Sequence, residues 1–435
     1  AAAVLALAAV GGYFGWNYYE QRAAEAALAV FEQEADYPLP ERPSIAILAF
    51  ENLSGDPEQE YFGDSLSENI LTGLAGVDDL FVIARNSSFQ YKGKPVDVRK
   101  IGRELGVRYV LEGSVQKVEN RVRVTAQLID AATGQHLWAG RYDRELEFWF
   151  AIQDEITLKI LGELLGELHR GETSRAVVSG TKNLEALAAF YRAYKHIIRW
   201  GKKDMLLARE WSRKAIALDP NYPLPYSTLA WSYILPVFFG FSDSPGEDLL
   251  QGGEHAKKAL ELSSGTEGLV EIGYIQMIKK EHTQAIATLE KAVAVRPSDA
   301  RTHAFLSRTL DYNGQPAEAI PEMKIALRLA PFYPKWWLSA LALTYFNNRQ
   351  YEKALEACLN SRKRGLPLWL RGTIIASYMA LGKEAEARAE VRKYLVAEPD
   401  ASLAATRKIF KPWPYREFSW LDRKIEFLRK AGLPE

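Results

Sequence analysis

The stretch TQAIATLEKAVAVRPSDARTHAFLSRTLDYNGQPAEAIPEMKIALRLAP, residues 283–331, decides the fold of much of this chain. Within it, Ala285 and Ala319 are 34 residues apart, and Pro297 and Pro331 have the same spacing. A period of about 34 residues is typical of a solenoid of helix–turn–helix units, in which each unit buries its apolar face only against its neighbours. We therefore predict stacked helix pairs on both sides of this stretch.

The same period extends toward the C-terminus, where Ala354 and Ala387 continue the series of small residues. We expect these residues to mark close approaches between helices. The prediction is an all-α solenoid of about six units over residues 183–399, followed by a capping helix within residues 400–435. An apolar insertion at residues 235–246 interrupts the second unit, and it is predicted to pack against the repeats or to form a docking loop for a partner.

The first 19 residues carry no charge and begin AAAVLALAAVGGYFGW. Such a run predicts a transmembrane helix over residues 1–19, truncated at its front end and bordered by an aromatic belt. A cleaved secretory signal is the alternative. Residues 20–43 are predicted to form a short helix and a Pro-rich linker. This flank is poor in basic residues, which favours placement of the following chain in the periplasm, with the span in a bacterial inner membrane.

Residues 44–170 show the pattern of a small α/β domain. Short apolar runs alternate with helical stripes and then give way to three closely spaced strands, so the predicted order is βαβαβββα with a mixed sheet. The first helix carries apolar residues four apart, at Phe62, Leu66, Ile70 and Leu74. A linker at residues 171–182 leads to the solenoid. The predicted fold class is therefore an α+β multidomain chain.

Three segments carry a family resemblance: PSIAILAFENLSGDPEQEYFGDSL, FVIARNSSFQYKGKPVDVRKIGRELGVRYVLEGSV and RVRVTAQLIDAATGQHLWAGRYDREL. Together they resemble the TolB-like amino-terminal domain, over residues 43–168. That domain occurs in bacterial membrane-anchored signalling proteins that also carry tetratricopeptide repeats, the repeat class with the observed period. Ala49 and Ser65 depart from the usual proline and glycine. The resemblance implies an effector domain before the span, often a class III adenylate/guanylate cyclase and sometimes a winged-helix domain; neither is present in this sequence.

Composition limits the classes of function. Lys and Arg together number 55, as do Asp and Glu, so there is no basic surplus of the kind that nucleic-acid binding requires. A single cysteine, Cys358, excludes a disulfide framework and a cysteine-based metal site, and is read as a buried apolar residue. We therefore expect no cofactor and no metal ion.

Several motifs imitate catalytic or binding sites. Gly63-Asp64-Ser65-Leu66 resembles the nucleophile block of GDSL hydrolases, but it falls within a predicted helix and lacks the required Asp–His pair later in the chain. Ser54-Gly55-Asp56 is read as a turn before a helix that begins at Pro57. The six histidines lack the spacing of a zinc site; they are His136, His169, His196, His255, His282 and His303. No catalytic residue is predicted.

These observations predict a non-catalytic, membrane-anchored sensing and protein-interaction region. A peptide or protein partner would bind the groove of the repeats, and a missing N-terminal effector would respond through the span, mechanically or in a homodimer. A stand-alone envelope scaffold is the alternative. An enzyme is disfavoured because no pair of catalytic groups has a workable spacing.

Overall fold

The computed structural model describes residues 30–77, 80–165, 181, 183–197, 199, 201–263, 267–331, 333, 335–362 and 368–435. The chain divides into two compact units, one containing the residues up to Ser179 together with Leu329–Pro331, and one containing residues 180–328 and 332–435. The predicted span at residues 1–19 and most of the linker at 171–182 lie outside the described residues. Among the residues that are described, no helix combines the length and the apolar character needed to cross a bilayer.

The first unit contains a mixed sheet. In the described part of this unit the strands are β1 (Ser44–Ile47), β2 (Glu51–Asn52), β3 (Phe81–Val82), β4 (Tyr109–Val118), β5 (Arg121–Asp130) and β6 (Gln135–Glu145). Their order is β3-β1-β4-β5-β6, and β2 also pairs with β4. The pairings of β1 with β3 and β4 are parallel, whereas β4, β5 and β6 form an antiparallel meander. The mixed sheet is therefore confirmed.

Helices pack against this sheet and contribute to the hydrophobic core of the first unit. They are α1 (Glu60–Ala75), α2 (Arg85–Ser88), α3 (Val98–Leu105) and α4 (Trp149–Leu165). The predicted stripe of α1 is buried throughout, since Phe62, Leu66, Ile70 and Leu74 are at most 1% exposed. The Phe62 ring meets the buried ring of Trp149 edge-on at 5.0 Å, which fixes α1 against α4.

The second unit is all-helical. Its described helices are α5 (Leu184–Ile197), α6 (Lys202–Leu218), α7 (Pro223–Phe238), α8 (Pro245–Leu262), α9 (Leu269–Ile278), α10 (His282–Val295), α11 (Ala300–Tyr312), α12 (Pro316–Leu329), α13 (Lys335–Asn347), α14 (Tyr351–Arg362), α15 (Leu368–Ala380), α16 (Glu384–Ala397), α17 (Leu403–Phe410) and α18 (Ser419–Lys430). From α5 to α16 these form consecutive helix pairs of the kind predicted for the solenoid. Residues 400–435 hold two helices, although the sequence indicated one.

The small residues of the repeat lie where helices meet. Ala285, Ala319, Ala354 and Ala387 are all fully buried. At the corresponding place in the second pair, a Cβ added to Gly252 would lie 2.9 Å from Ile234 of the preceding helix. The periodic signal in the sequence therefore reflects the close packing of helices.

The apolar insertion at residues 235–246 takes a form that the sequence did not predict. Its first part, through Phe238, continues helix α7 even though Pro236 lies inside that helix. Proline has no N–H to offer to the carbonyl four residues earlier, that of Ser232. Arg209 of α6 supplies the missing donor, because its Nη2 lies 2.9 Å from this oxygen. The guanidinium also stacks on Tyr233, at 3.8 Å from the ring centre, so tertiary contacts hold the helix past its proline.

Candidate functional site

The GDSL-like motif does not form a nucleophile site. Ser65 lies inside α1 and is fully buried, and its Oγ donates a hydrogen bond to the Phe62 carbonyl at 3.0 Å. A hydrolase serine must present its oxygen to a substrate. Ser65 therefore serves the packing of the helix.

The turn at residues 54–56 is held within the chain. The Asp56 carboxylate accepts from the Glu58 amide at 2.9 Å and caps a short 3₁₀ turn that begins at Pro57. The Ser54 hydroxyl accepts from the Lys117 amide at 2.8 Å. These polar groups are thus engaged in capping and in anchoring the loop to β4.

The described histidines have separate roles. His303 contacts the Glu322 carboxylate through Nδ1 at 2.6 Å and the Pro297 carbonyl through Nε2 at 3.0 Å, so it links two helices of the fourth pair. His196 contacts Asp204 at 2.8 Å. Within the described residues, no group of histidine, cysteine and acidic side chains is arranged to hold a metal ion. Cys358 is buried.

Aromatic side chains from the first helices of successive pairs form a continuous row. The row consists of Trp231 on α7, Tyr274 on α9, Phe305 on α11 and Trp336 on α13. Neighbouring ring centres are 5.3 Å apart for Trp231–Tyr274, 4.7 Å for Tyr274–Phe305 and 6.1 Å for Phe305–Trp336. The row passes from buried rings to the partly exposed ring of Trp336. We call these four residues the aromatic row.

Arg308 of α11 lies beside this row and is surrounded by rings. Its guanidinium carbon is 4.7 Å from the ring centre of Phe238, 5.1 Å from Trp336, and 5.3 Å from both Tyr312 and Trp413. Cation–π contacts of this kind stabilise a guanidinium that has lost part of its hydration. Phe238 belongs to the extended helix α7, and Trp413 comes from the segment between the last two helices. Two segments that depart from the regular repeat, the end of α7 and the segment between α17 and α18, therefore contact the same arginine.

A buried carboxylate lies next to this arginine. Asp311 accepts hydrogen bonds from the Tyr415 hydroxyl at 2.8 Å and from the Asn347 side-chain amide at 2.9 and 3.1 Å. Burial raises the pKa of Asp311 to about 6, while the two hydrogen-bond donors and the charge of Arg308 act in the opposite direction. Asp311 is therefore a poorly solvated acid that holds α11, α13 and Tyr415 together.

Residues 411–418, KPWPYREF, cross the ends of these helices without regular secondary structure. We call them the 411–418 segment. The Arg416 amide donates to the Tyr312 carbonyl at 2.8 Å, and the rings of Tyr415 and Tyr312 meet at 4.5 Å. Burial lowers the pKa of His282, as do the charges of Arg416 and Lys280, whereas the Pro414 carbonyl favours its protonation. The segment thus reaches from the last helices back to the third and fourth pairs.

No pattern in the sequence indicated this cluster. Arg308 has an ordinary position in a repeat, and its partners Phe238 and Trp413 lie 70 and 105 residues away in the chain. Of the segments that form the cluster, only the apolar insertion was identified from the sequence as a candidate for binding. Its Phe238 packs against Tyr274 at 5.2 Å, whereas Phe239 is 44% exposed.

Comparison with known proteins identifies one repeat within the second unit. Residues 266–299, which include α9 and α10, match the family model described as tetratricopeptide repeat. The chain therefore contains a tetratricopeptide repeat within a mixed α+β architecture, as predicted.

One curated relative is Putative adenylate cyclase 3 of Rhizobium meliloti (strain 1021), which is 44% identical over 223 residues. The match covers 51% of this chain and 38% of that protein, so the chain spans well under half the length of this relative.

Solved structures that match parts of this chain include repeat proteins and TolB. YrrB, described as a TPR protein with an unusual peptide-binding site, is 19% identical with a TM-score of 0.35, over 43% of this chain and 93% of that chain. PilF of Pseudomonas aeruginosa is 16% identical with a TM-score of 0.41, over 52% and 97%. TolB of Acinetobacter baumannii is 19% identical with a TM-score of 0.24, over 29% of each chain.

Proposed function

We propose that this chain is a non-catalytic protein-interaction region of a bacterial signalling protein, and that its repeats bind a peptide or protein segment. The observation that carries the proposal is the cluster formed by Arg308 and the aromatic row. Aromatic and arginine side chains are the residues that contribute most to protein–protein binding energy, particularly where they are held in place by packing.

Arg308 keeps hydrogen-bonding capacity for a partner. Among the described residues its hydrogen-bond acceptor is the Tyr312 hydroxyl, which binds Nε at 2.6 Å. Within the part of the chain that the structure describes, neither terminal nitrogen of this half-buried side chain donates a hydrogen bond. A guanidinium that is held by rings and retains unused donors at its two Nη groups can donate to a carbonyl or carboxylate at little cost in side-chain entropy.

The signalling role extends this proposal beyond the chain. We propose that residues 43–168 form a TolB-like domain, that residues 1–19 anchor the protein in the inner membrane, and that the folded region lies in the periplasm. The effector would be an adenylate/guanylate cyclase domain outside this sequence, with coupling mechanical or through a homodimer. Support comes from the sequence resemblance and from the relative named as a putative adenylate cyclase.

A comparison of variants tests the binding role. The chain is immobilised and exposed to extracts of the source bacterium, and retained proteins are quantified for the wild type, Arg308→Ala and Arg388→Ala. Arg388 lies on α16, is 59% exposed, and pairs with Glu384, so it controls for the loss of a surface arginine. We expect a partner that is retained by the wild type and Arg388→Ala and reduced at least tenfold by Arg308→Ala. Equal retention by all three proteins would exclude the Arg308 cluster as the binding site.

The signalling role has its own test. The purified partner is added to membranes that contain the intact gene product, and cyclic AMP and cyclic GMP are measured. A change in cyclic nucleotide production with the wild type, and its absence with Arg308→Ala, is expected. If Arg308-dependent binding leaves production unchanged, the interaction role stands and coupling to a cyclase is refuted.

A further inference from the structure

The 411–418 segment lies on the repeats in the way that a bound peptide would. Trp413 and Tyr415 are turned toward α11, where they contact Arg308 and Tyr312. Lys411, Arg416 and Glu417 are exposed. One main-chain hydrogen bond, from the Arg416 amide to the Tyr312 carbonyl, fixes the register. Main-chain pairing combined with inward-facing anchors is the usual arrangement of an extended peptide on its receptor.

The anchors of the segment are chemically specific. The Tyr415 side chain is 2% exposed, and its hydroxyl donates to the Asp311 carboxylate, so an apolar side chain there would leave a buried acceptor without this donor. Trp413 supplies one of the rings around Arg308. Pro414 separates the two anchors and favours an extended backbone at the residue before it. The surface therefore selects an aromatic residue, a proline and a tyrosine in succession.

We propose that the 411–418 segment is a built-in ligand. The surface formed by Arg308, Asp311, Tyr312 and Asn347 recognises extended aromatic–proline–tyrosine segments, and an external partner with this chemistry must first displace the chain's own copy. This inference rests on the proposed binding function and names the class of partner for the same surface.

The segment itself supplies the probe. A fluorescein-labelled peptide of residues 411–418 is titrated into the wild-type chain and into Tyr415→Ala, and binding is followed by fluorescence anisotropy. The tethered copy competes at an effective concentration on the order of millimolar. We therefore expect the peptide to bind Tyr415→Ala at least tenfold more tightly than the wild type. Equal affinity for both proteins would show binding elsewhere and would overturn the proposal.

Controls define the surface and the ligand. Adding Arg308→Ala to Tyr415→Ala should weaken peptide binding at least tenfold, whereas adding Arg388→Ala should leave it unchanged. A peptide in which the positions of Trp413 and Tyr415 are alanine should not bind. If a well-folded Tyr415→Ala protein, judged by an unchanged circular dichroism spectrum and a cooperative melt, fails to bind the native peptide, the proposal is wrong.

A milder variant covers the case in which Tyr415→Ala does not fold. Tyr415→Phe retains the ring and loses only the hydroxyl that Asp311 accepts, so the native peptide should bind it more tightly than the wild type by a smaller factor. No increase in this variant would contradict the proposal. An Arg308-dependent partner in the extract experiment, together with failure of the peptide, would refute the built-in ligand and leave the binding function intact.

Discussion

Replacing Lys424 by methionine should stabilise the second unit at neutral pH. Lys424 lies on α18 and is fully buried; its Nζ donates to the Thr373 hydroxyl at 2.9 Å and lies 4.6 Å from the ring centre of Phe410. Burial lowers its pKa from 10.5 to about 7, and the electrostatic contribution of Cys358 opposes part of this shift. Burial therefore disfavours the charged form of Lys424 in the folded state.

The sign and size of the effect follow from proton linkage. Below pH 7 both the folded and the unfolded state carry the proton, so the folded state bears the full cost of the buried charge. Between pH 7 and 10.5 the unfolded state binds more protons, so the free energy of unfolding rises with pH. At about 1.4 kcal/mol for each pKa unit, the full cost is about 5 kcal/mol, and about 2 kcal/mol of it disappears between pH 7 and pH 9.

Urea denaturation followed by tryptophan fluorescence, repeated from pH 6 to pH 9, measures the difference. Methionine has a similar length and no charge, and replacing buried ionic groups by apolar residues of similar volume is often neutral or stabilising by about 1–4 kcal/mol. We expect the free energy of unfolding of Lys424→Met at pH 7 to exceed that of the wild type by about 3 kcal/mol, which lies within this range. The advantage should shrink by about 2 kcal/mol at pH 9, as linkage requires.

The exposed Lys430, which pairs with Glu426 one turn away on the same helix, provides the matched control. Lys430→Met should change stability by less than about 0.5 kcal/mol at every pH. If Lys424→Met is destabilised at pH 6, or if its curve runs parallel to that of the wild type, the Lys424 ammonium is satisfied in the fold and the reasoning fails.

Three further predictions concern the repeat packing and the Asp311 cluster. Arg209→Met should cost about 1–3 kcal/mol, because the carbonyl freed by Pro236 loses its donor, and Pro236→Ala should reduce that cost by about 1 kcal/mol in a double-mutant cycle of urea midpoints. Ala319→Leu should overpack two helices and cost about 1–3 kcal/mol; Ala317→Leu, at an exposed position of the same helix, should leave the melting temperature nearly unchanged. For Asp311, a folded pKa of about 6 above the unfolded value of 3.8 means that its protonation stabilises the fold as pH falls from 7 to 4, by up to about 3 kcal/mol. In urea titrations at pH 7 and pH 4, Asp311→Asn should lack this pH-dependent gain in the free energy of unfolding. If the variant keeps the pH dependence of the wild type, Asp311 is not the titrating group.

Local periodicity explains why so much of the fold was predictable. The stripe of α1 and the small residues of the repeats are buried as their spacing requires, because a helix that packs on one face must place its apolar residues on that face. The meander β4–β6 was equally clear, since alternation and short turns are properties of adjacent residues. In these elements sequence and packing impose the same constraint.

The helical form of the insertion could not be predicted from local periodicity. Pro236 predicts a helix end, yet α7 continues to Phe238 because Arg209, 27 residues earlier, satisfies the freed carbonyl. A donor supplied from another helix leaves no local trace. The short helix α17 was missed for a related reason, since its eight residues give only about two turns of pattern.

The position of the candidate site follows from these exceptions. A strictly regular repeat buries its small residues against its neighbours and would leave Arg308 as a surface side chain. Here the longer α7 brings Phe238 to its guanidinium, and the 411–418 segment brings Trp413. The regular stacking of helix pairs supplies neither contact, because Phe238 and Trp413 both lie outside the regular repeat. These departures from a regular pattern converge on one charged residue, and this convergence is the reason that we propose recognition of a partner at Arg308.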